Sequence, residues 1–302
     1  MEATTIVSPF VEGTKLQYAW DSTSLTWLKE CPRKYQYSMI DGYQSKMKSI
    51  DLDFGSAYHS GIELYEHCRQ AGDDHDTALS EVVLAALRST RTWTNDDPNK
   101  NRETLLRSLI WYLEEFHEDN AKTLVLANGR PAVELSFKMQ LDFGPEIGPN
   151  YILCGHIDRL VEFIGQRYVL DHKTTKNTLS PAYFSGFEPN NQMTLYTFAS
   201  KVVFATLVKG VIIDAAQIAV GFTRFERGVT LRTEGQLEEW LNDLKSLLRR
   251  NEEYVAVNYW PMNDTSCRIC QFKKICSKDP KVRQMFLDAD FERRQWNPLI
   301  PR

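Results

Sequence analysis

Three β-rich stretches follow one another closely in the middle of this chain, at 133–141, 151–163 and 166–173. No other feature restricts the architecture as much. Short apolar or alternating runs, bounded here by Gly144-Pro145 and Gly165-Gln166, bury their faces by pairing as strands. Upstream the apolar period is helical. Ser22, Thr23 and Ser24 offer N-caps to a helix through Leu25, Trp27, Leu28 and Cys31, which Pro32 kinks or breaks. Further helices are expected over 54–69, where Ala57, Gly61, Leu64 and Tyr65 keep helical spacing and Gly72 lies near the end, and over 76–93 and 102–127. Downstream come a helix at about 191–207, a strand at 210–224, a helix at about 234–254 and a cysteine loop. This order predicts an α/β chain with a sheet that carries helices on its faces.

The 302 residues are 42% hydrophobic and 25% charged, an ordinary globular composition. At that length folding buries roughly three quarters of the unfolded surface, so the fold needs no staples. The expectation is one domain over 1–278, made of an N-terminal helix at 22–50, a helical region at 53–130, a sheet core at 131–230 and a helix with the cysteine loop at 231–278. The polar tail 279–302 suggests no element. No run of about 18 apolar residues occurs and the start lacks a basic segment followed by an apolar one, so neither a membrane span nor a secretory signal is expected, and the localisation expected is cytoplasmic. The formal net charge is −4, yet 265–302 holds nine Lys/Arg against four Asp/Glu. Lys29, Arg33, Lys34, Lys46 and Lys48 add a second basic stretch. Local patches of this kind can bind a phosphate backbone on an acidic protein.

Asp158 lies near the end of one predicted strand, and Asp171 and Lys173 lie on the next. Side chains alternate along a strand, so Asp171 and Lys173 share a face and His172 points to the other. A hairpin around Gly165 brings Asp158 beside that face. Two carboxylates 4–5 Å apart repel by roughly 3–4 kcal/mol at an effective dielectric near 20. A divalent cation removes that penalty, and carboxylate oxygens suit Mg²⁺ or Mn²⁺. Such an ion acidifies a water and neutralises charge developing on phosphorus, with Lys173 placed to hold or polarise the nucleophile. Taken alone, each residue has a plainer reading. Asp-x-Lys can be a solvated edge pair, His59 a core histidine, Glu134 a structural acid, and Gln192 with Tyr196 a helix surface.

Together these residues resemble the PD-(D/E)xK nucleases, in the branch that holds RecB-type nuclease domains, Cas4 proteins and the AddB nuclease domain. The matching pieces are Gly55-Ser56-Ala57-Tyr58-His59, Glu134, Gly155-His156-Ile157-Asp158-Arg159, Leu170-Asp171-His172-Lys173-Thr174 and Gln192-x3-Tyr196, in order over 22–278. The resemblance implies a restriction-endonuclease-like core, a central mixed sheet flanked by helices, with a helical N-terminal insertion and a C-terminal cysteine loop. It implies that His59, Asp158 and Asp171 are metal ligands, that the His172 carbonyl completes the shell, and that Lys173 is the catalytic lysine. Gln192 and Tyr196, one helical turn apart, would orient the lysine and the DNA strand.

Three of the six cysteines form Cys267-x2-Cys270-x5-Cys276, a local loop whose thiolates can converge on a metal centre that needs a fourth ligand. In the Cas4 and AddB relatives a lone N-terminal cysteine, here Cys31, joins such a trio around a [4Fe–4S] cluster. Four thiolates suit either a cluster or zinc, and the resemblance favours the cluster in a structural role. Cys68 and Cys154 read as small buried hydrophobes.

Arg33 and Lys34 are candidates for phosphate contact, and Tyr35, with Trp27, Tyr37 and Tyr43, for base stacking, although most of these aromatics read more plainly as core residues. No G-x-x-x-x-G-K-[ST] occurs, so a P-loop motor is not expected and the substrate would be DNA already single-stranded or with free ends. The leading expectation is a metal-dependent DNA exonuclease of a prokaryote or phage, working with recombination, CRISPR-adaptation or phage replication proteins and no membrane. The alternatives are a DNA-binding clamp that does not cut, and an oxidoreductase, for which no GxGxxG speaks.

Overall fold

The computed structural model describes residues 7–47, 49–94, 97–143 and 149–300. Lys48 and the expected Gly144-Pro145 turn lie outside the described residues. The first elements are β1 (Ala19–Trp20), α1 (Ser22–Glu30), α2 (Pro32–Tyr35) and β2 (Tyr43–Ser45). The N-cap of α1 is Asp21, one residue before the expected serines. Its carboxylate accepts from Ser24 N at 2.9 Å, and Ser24 Oγ accepts from Asp21 N at 3.1 Å, a closed capping box. Cys31 is extended (φ −162°, ψ 109°) and Pro32 then opens α2, so the proline separates two helices.

Next come α3 (Ile50–Ala71), α4 (His75–Ser89), α5 (Arg102–Phe116) and β3 (Lys122–Thr123). The helix expected over 102–127 stops at Phe116 because β3 pairs antiparallel with residues 161–162. The strands β4 (Val133–Gln140), β5 (Ile152–Phe163) and β6 (Gln166–Thr175) follow as expected. The hairpin loop is Ile164-Gly165, with φ of 50° and 68°. Two positive φ values are what a two-residue turn matched to strand twist requires. After α6 (Pro181–Ser185) and α7 (Asn191–Val202), the expected strand at 210–224 resolves into two, β7 (Gly210–Ile218) and β8 (Thr223–Thr230). The chain ends with α8 (Glu234–Ala256), α9 (Lys273–Cys276), α10 (Arg283–Asp290) and β9 (Phe291–Arg293).

The chain forms two compact units, one from Met1–Lys48, Ser136–Gly155 and Glu234–Arg302, the other from Ser49–Leu135 and His156–Thr233. The strands run β5-β6-β7-β8, with β3 and β4 also on β5 and β1 parallel to the start of β5. The β6–β7 pair is parallel while β5–β6 and β7–β8 are antiparallel. This is an α/β fold with a central mixed sheet flanked by helices.

In the second unit, Phe54, Tyr58, Ile62 and Tyr65 of α3 pack with Val82 of α4, Leu105 and Leu109 of α5, and Ala216 and Ile218 of β7. Burying each large side chain contributes about 1.5–3 kcal/mol. A Cβ on Gly61 would lie 2.7 Å from Leu109 Cδ2, so the glycine sets how closely α3 and α5 approach. In the first unit the tail is part of the core. Leu287 and Phe291 are buried with Tyr37, Tyr43, Phe272 and Ile275, and β9 pairs antiparallel with β2. Among the described residues no helix is long and apolar enough to cross a membrane.

Candidate active site

The second unit gathers its polar side chains at the end of β6. The β5–β6 register pairs Arg159 with Leu170, and its next step sets Asp158 opposite Asp171. Both carboxylates are buried, 5% and 1% exposed. His59 enters from α3, directly after the buried Tyr58. Its Nδ1 lies 3.4 Å from Asp158 Oδ2 and 3.9 Å from Glu134 Oε1. Its Nε2 is 2.9 Å from the carbonyl oxygen of His172, and the His172 N–H donates to Asp158 Oδ2 at 2.9 Å. Ligand atoms of His59, Glu134 and Asp158 all fall within 4.8 Å of one another. Glu134 achieves this from a left-handed backbone (φ 45°), a strained conformation for a residue with a side chain.

The electrostatics follow from burial. It lifts the Asp158 carboxyl to about 6, against the pull of His59 and with the neighbouring Asp171 charge adding to the rise. For His59, burial alone would lower the imidazole, but Asp158 and Glu134 beside it outweigh that and raise it. A hard divalent cation fits this donor set, two carboxylates, an imidazole and a peptide carbonyl. Asp171 adds a second reason. Lys173 Nζ lies 2.6 Å from Asp171 Oδ2 as an ion pair, which leaves the buried Oδ1 without a hydrogen-bond partner. A buried oxygen in that state is costly.

Lys173 is held from the other side as well. It donates to Gln192 Oε1 at 3.1 Å, and Gln192 Nε2 donates to Tyr196 Oη at 2.9 Å. The two sit one turn apart on α7, whose N-cap Asn190 accepts from Gln192 N at 3.0 Å. The lysine is thus fixed at both its neighbours while 27% of its side chain stays open.

The opposite face of β6 carries a buried charge network. The His172 imidazole lies there, Nδ1 3.7 Å from Asp214 Oδ2, and burial with nearby Arg159 holds it well below its ordinary pKa, so it is neutral. Asp214 accepts from Tyr112 Oη at 2.7 Å and from Arg227 at 3.0 Å, and Arg227 also grips Asp119 through both carboxylate oxygens. Arg159 pairs with Glu66 at 3.0 Å. Sequence reasoning missed this network. Asp214 is the one charged residue in a buried strand, and that lone acid is the one signal that could have exposed it.

In the first unit, Cys31, Cys267, Cys270 and Cys276 line one cavity together with Lys34, Asn263 and Phe272. None is in a disulfide. Asn263 N donates to Cys31 Sγ at 3.3 Å, and burial raises the Cys270 and Cys276 thiols. Cys154 is buried and its thiol is pushed up to about 12 by burial, as for a packing residue. Cys68 packs against the helical core. The expected DNA-facing aromatics are corrected. Tyr35 is 0% exposed, its ring stacked on Trp20 at 5.4 Å and its hydroxyl bonded to Gln17, so it cannot meet a base, and Tyr37 and Tyr43 are core residues too. Arg33 leans over the Tyr259 ring at 5.8 Å, and Lys34 pairs with Glu30 at 2.8 Å.

One structural neighbour is described as "Putative exonuclease" from Eubacterium rectale. It is 11% identical, with a TM-score of 0.52 over 89% of this chain and 92% of that one, a likeness of fold alone. A second, the crystal structure of SSO0001, is 14% identical over 88% of this chain and 89% of that one, with a TM-score of 0.35. A search among curated proteins gave no match. Residues 21–277 match the PD-(D/E)XK nuclease superfamily, and the chain belongs to that superfamily.

Proposed function

We propose that this protein is a divalent-metal-dependent deoxyribonuclease that degrades single-stranded DNA or frayed DNA ends exonucleolytically. The observation that carries the reading is the convergence of His59, Glu134 and Asp158 beside the Asp171–Lys173 pair. His59, Asp158, Asp171 and the His172 carbonyl would hold Mg²⁺ or Mn²⁺, with Glu134 as a further acid. When bound, the cation supplies charge neutralisation at phosphorus and lowers the pKa of a water. Lys173 is placed to hold and orient the attacking water by hydrogen bonding. Asp171 pairs with the ammonium beside the site, and Gln192, braced by Tyr196, aims it. Asp158, ionised above about pH 6, contributes the negative charge that recruits the cation.

We assign the chain to the RecB/Cas4/AddB branch and infer a structural [4Fe–4S] cluster on Cys31, Cys267, Cys270 and Cys276. The four line one cavity, and four thiolates suit a cluster or zinc, of which the family resemblance favours the cluster. We read 1–278 as one nuclease domain. Its setting is intracellular, in a recombination, adaptation or phage replication complex.

The test is anaerobically purified protein on end-labelled linear single-stranded DNA beside a single-stranded circle, in Mg²⁺, Mn²⁺ or EDTA. Metal-dependent loss of the linear strand alone is expected, and none with Lys173→Ala. Cutting of the circle would mean an endonuclease. Survival of both in every metal, with DNA still bound, would make the protein a clamp. Iron, sulphide and zinc contents of the same preparation decide the cysteine site.

A further inference from the structure

The catalytic face of the sheet continues past the acids. Across β6, β7 and β8 the register aligns Asp171 with Ile213 and Ile213 with Gly228, so all three positions lie on one face in a single row. Adjacent strands are about 4.8 Å apart, which puts the backbone of Gly228 about 10 Å from that of Asp171. Over this row sits α6. A Cβ at Gly228 would collide with the ring of Phe184, so glycine is what lets the phenylalanine lie down on the sheet. Between them is a cavity of about 200 Å³ with Ile213, Gly228, Phe184 and Pro181 as apolar walls and Ser185, Glu188 and Thr230 as its polar lining.

We propose that this cavity receives one unpaired nucleobase of the DNA strand whose phosphate lies at Asp171 and Lys173. The cavity is smaller than the roughly 300–1,000 Å³ of a drug-sized pocket, and its aromatic and aliphatic walls with three polar side chains suit a flat heterocycle. It lies within one nucleotide's reach of the acids. A ring cluster borders the cavity. Tyr183 meets Phe184 and Phe187 edge-on at 5.2 and 5.6 Å, and its own hydroxyl is pushed up to about 12 by burial and by the Asp171 charge. A base that enters must have left its duplex partner, so the cavity selects single-stranded or frayed ends. This inference deepens the nuclease reading and rests on it.

The test is fluorescence titration in EDTA with single-stranded oligonucleotides carrying 2-aminopurine at successive positions from each end. Stacking in the cavity predicts strong quenching at one position, weak quenching at its neighbours, and none on a blunt duplex. An abasic nucleotide at that position should weaken binding by about tenfold or more, and Phe184→Ala should abolish both the quench and the abasic penalty. Uniform quenching along the strand, or a flat abasic scan of the unmodified protein, overturns the proposal. So does a folded Phe184→Ala protein that quenches like the parent. No cleavage enters these titrations. A protein that quenches but never cuts therefore refutes the nuclease reading, and one that cuts without a preferred position refutes the cavity.

Discussion

Asp158→Asn should stabilise the metal-free protein while destroying its activity. The carboxyl is 5% exposed, and burial lifts it to about 6 from an unfolded value near 3.9. A folded value above the unfolded one means the associated stability is intact below about pH 4 and is lost as pH rises through 6. At pH 8 the whole difference is spent, about 3 kcal/mol at 1.36 kcal/mol per unit. It is about 1.5 kcal/mol at pH 5 and about 0.5 kcal/mol at pH 4. Asparagine carries no charge to bury and can still accept from the His172 N–H, which Asp158 does at 2.9 Å. For a chain of this size the pH 8 difference is about 5 °C in Tm. Thermal melts in EDTA at pH 4, 5 and 8 should show Asp158→Asn above the parent by a margin that grows with pH. Mg²⁺ or Mn²⁺ should then raise the parent's Tm and leave the variant's unchanged. A variant that melts below the parent at pH 8, or a margin that widens on acidification, would refute the argument.

Lys173→Ala should lower DNA hydrolysis by at least about 100-fold, the scale of a positioned proton-handling group, while Mn²⁺ binding followed by electron paramagnetic resonance persists. Arg227→Met leaves the buried Asp214 and the half-buried Asp119 without their cation, and should cost about 3–5 kcal/mol in urea unfolding; a loss under 1 kcal/mol would mean those acids find other partners. Gly61→Val forces a side chain against Leu109 and should cost about 1–3 kcal/mol by the same measurement. Cys270→Ser should remove the visible iron–sulphur absorbance, whereas a protein whose colour and iron content are unchanged by it does not hold its cluster there.

How much of this was legible beforehand depended on whether the signal was local. The acids on β5 and β6 were readable because period two and a hairpin at Gly165 place Asp158 beside Asp171 without any knowledge of the rest of the fold. The α3 helix was readable because Ala57, Gly61, Leu64 and Tyr65 keep helical spacing, although its most buried large side chains are Phe54, Tyr58, Ile62 and Tyr65. The split of 210–224 into β7 and β8 was not, since Thr223–Thr230 is charged and half-exposed and looks like the end of one strand rather than the start of another. The tail was unreadable for a different reason: β9 exists through its pairing with β2 at the far end of the chain, which no local pattern announces. Tyr35 misled because a basic neighbourhood suggests a DNA surface, while its ring was needed against Trp20.

The two faces of β6 explain why so much charge is buried behind a site that does not use it. Asp171 and Lys173 serve one face and His172 the other, so a slip of one residue in pairing would turn the proposed catalytic pair inward and present an imidazole instead. Apolar neighbours resist such a slip poorly here, because β7 is buried along its whole length and reads the same to either face. A charged network does discriminate. His172 is in register with Asp214, and Asp214 with Arg227, so a shifted β6 would strand Asp214 between Tyr112 and Arg227 with the wrong residue opposite. Breaking a buried pair costs several kcal/mol, more than any single apolar contact along the strand recovers. The network is therefore best understood as holding the register that catalysis needs. On that account Arg227→Met should lower activity by displacing Lys173 from Gln192 as well as by lowering stability.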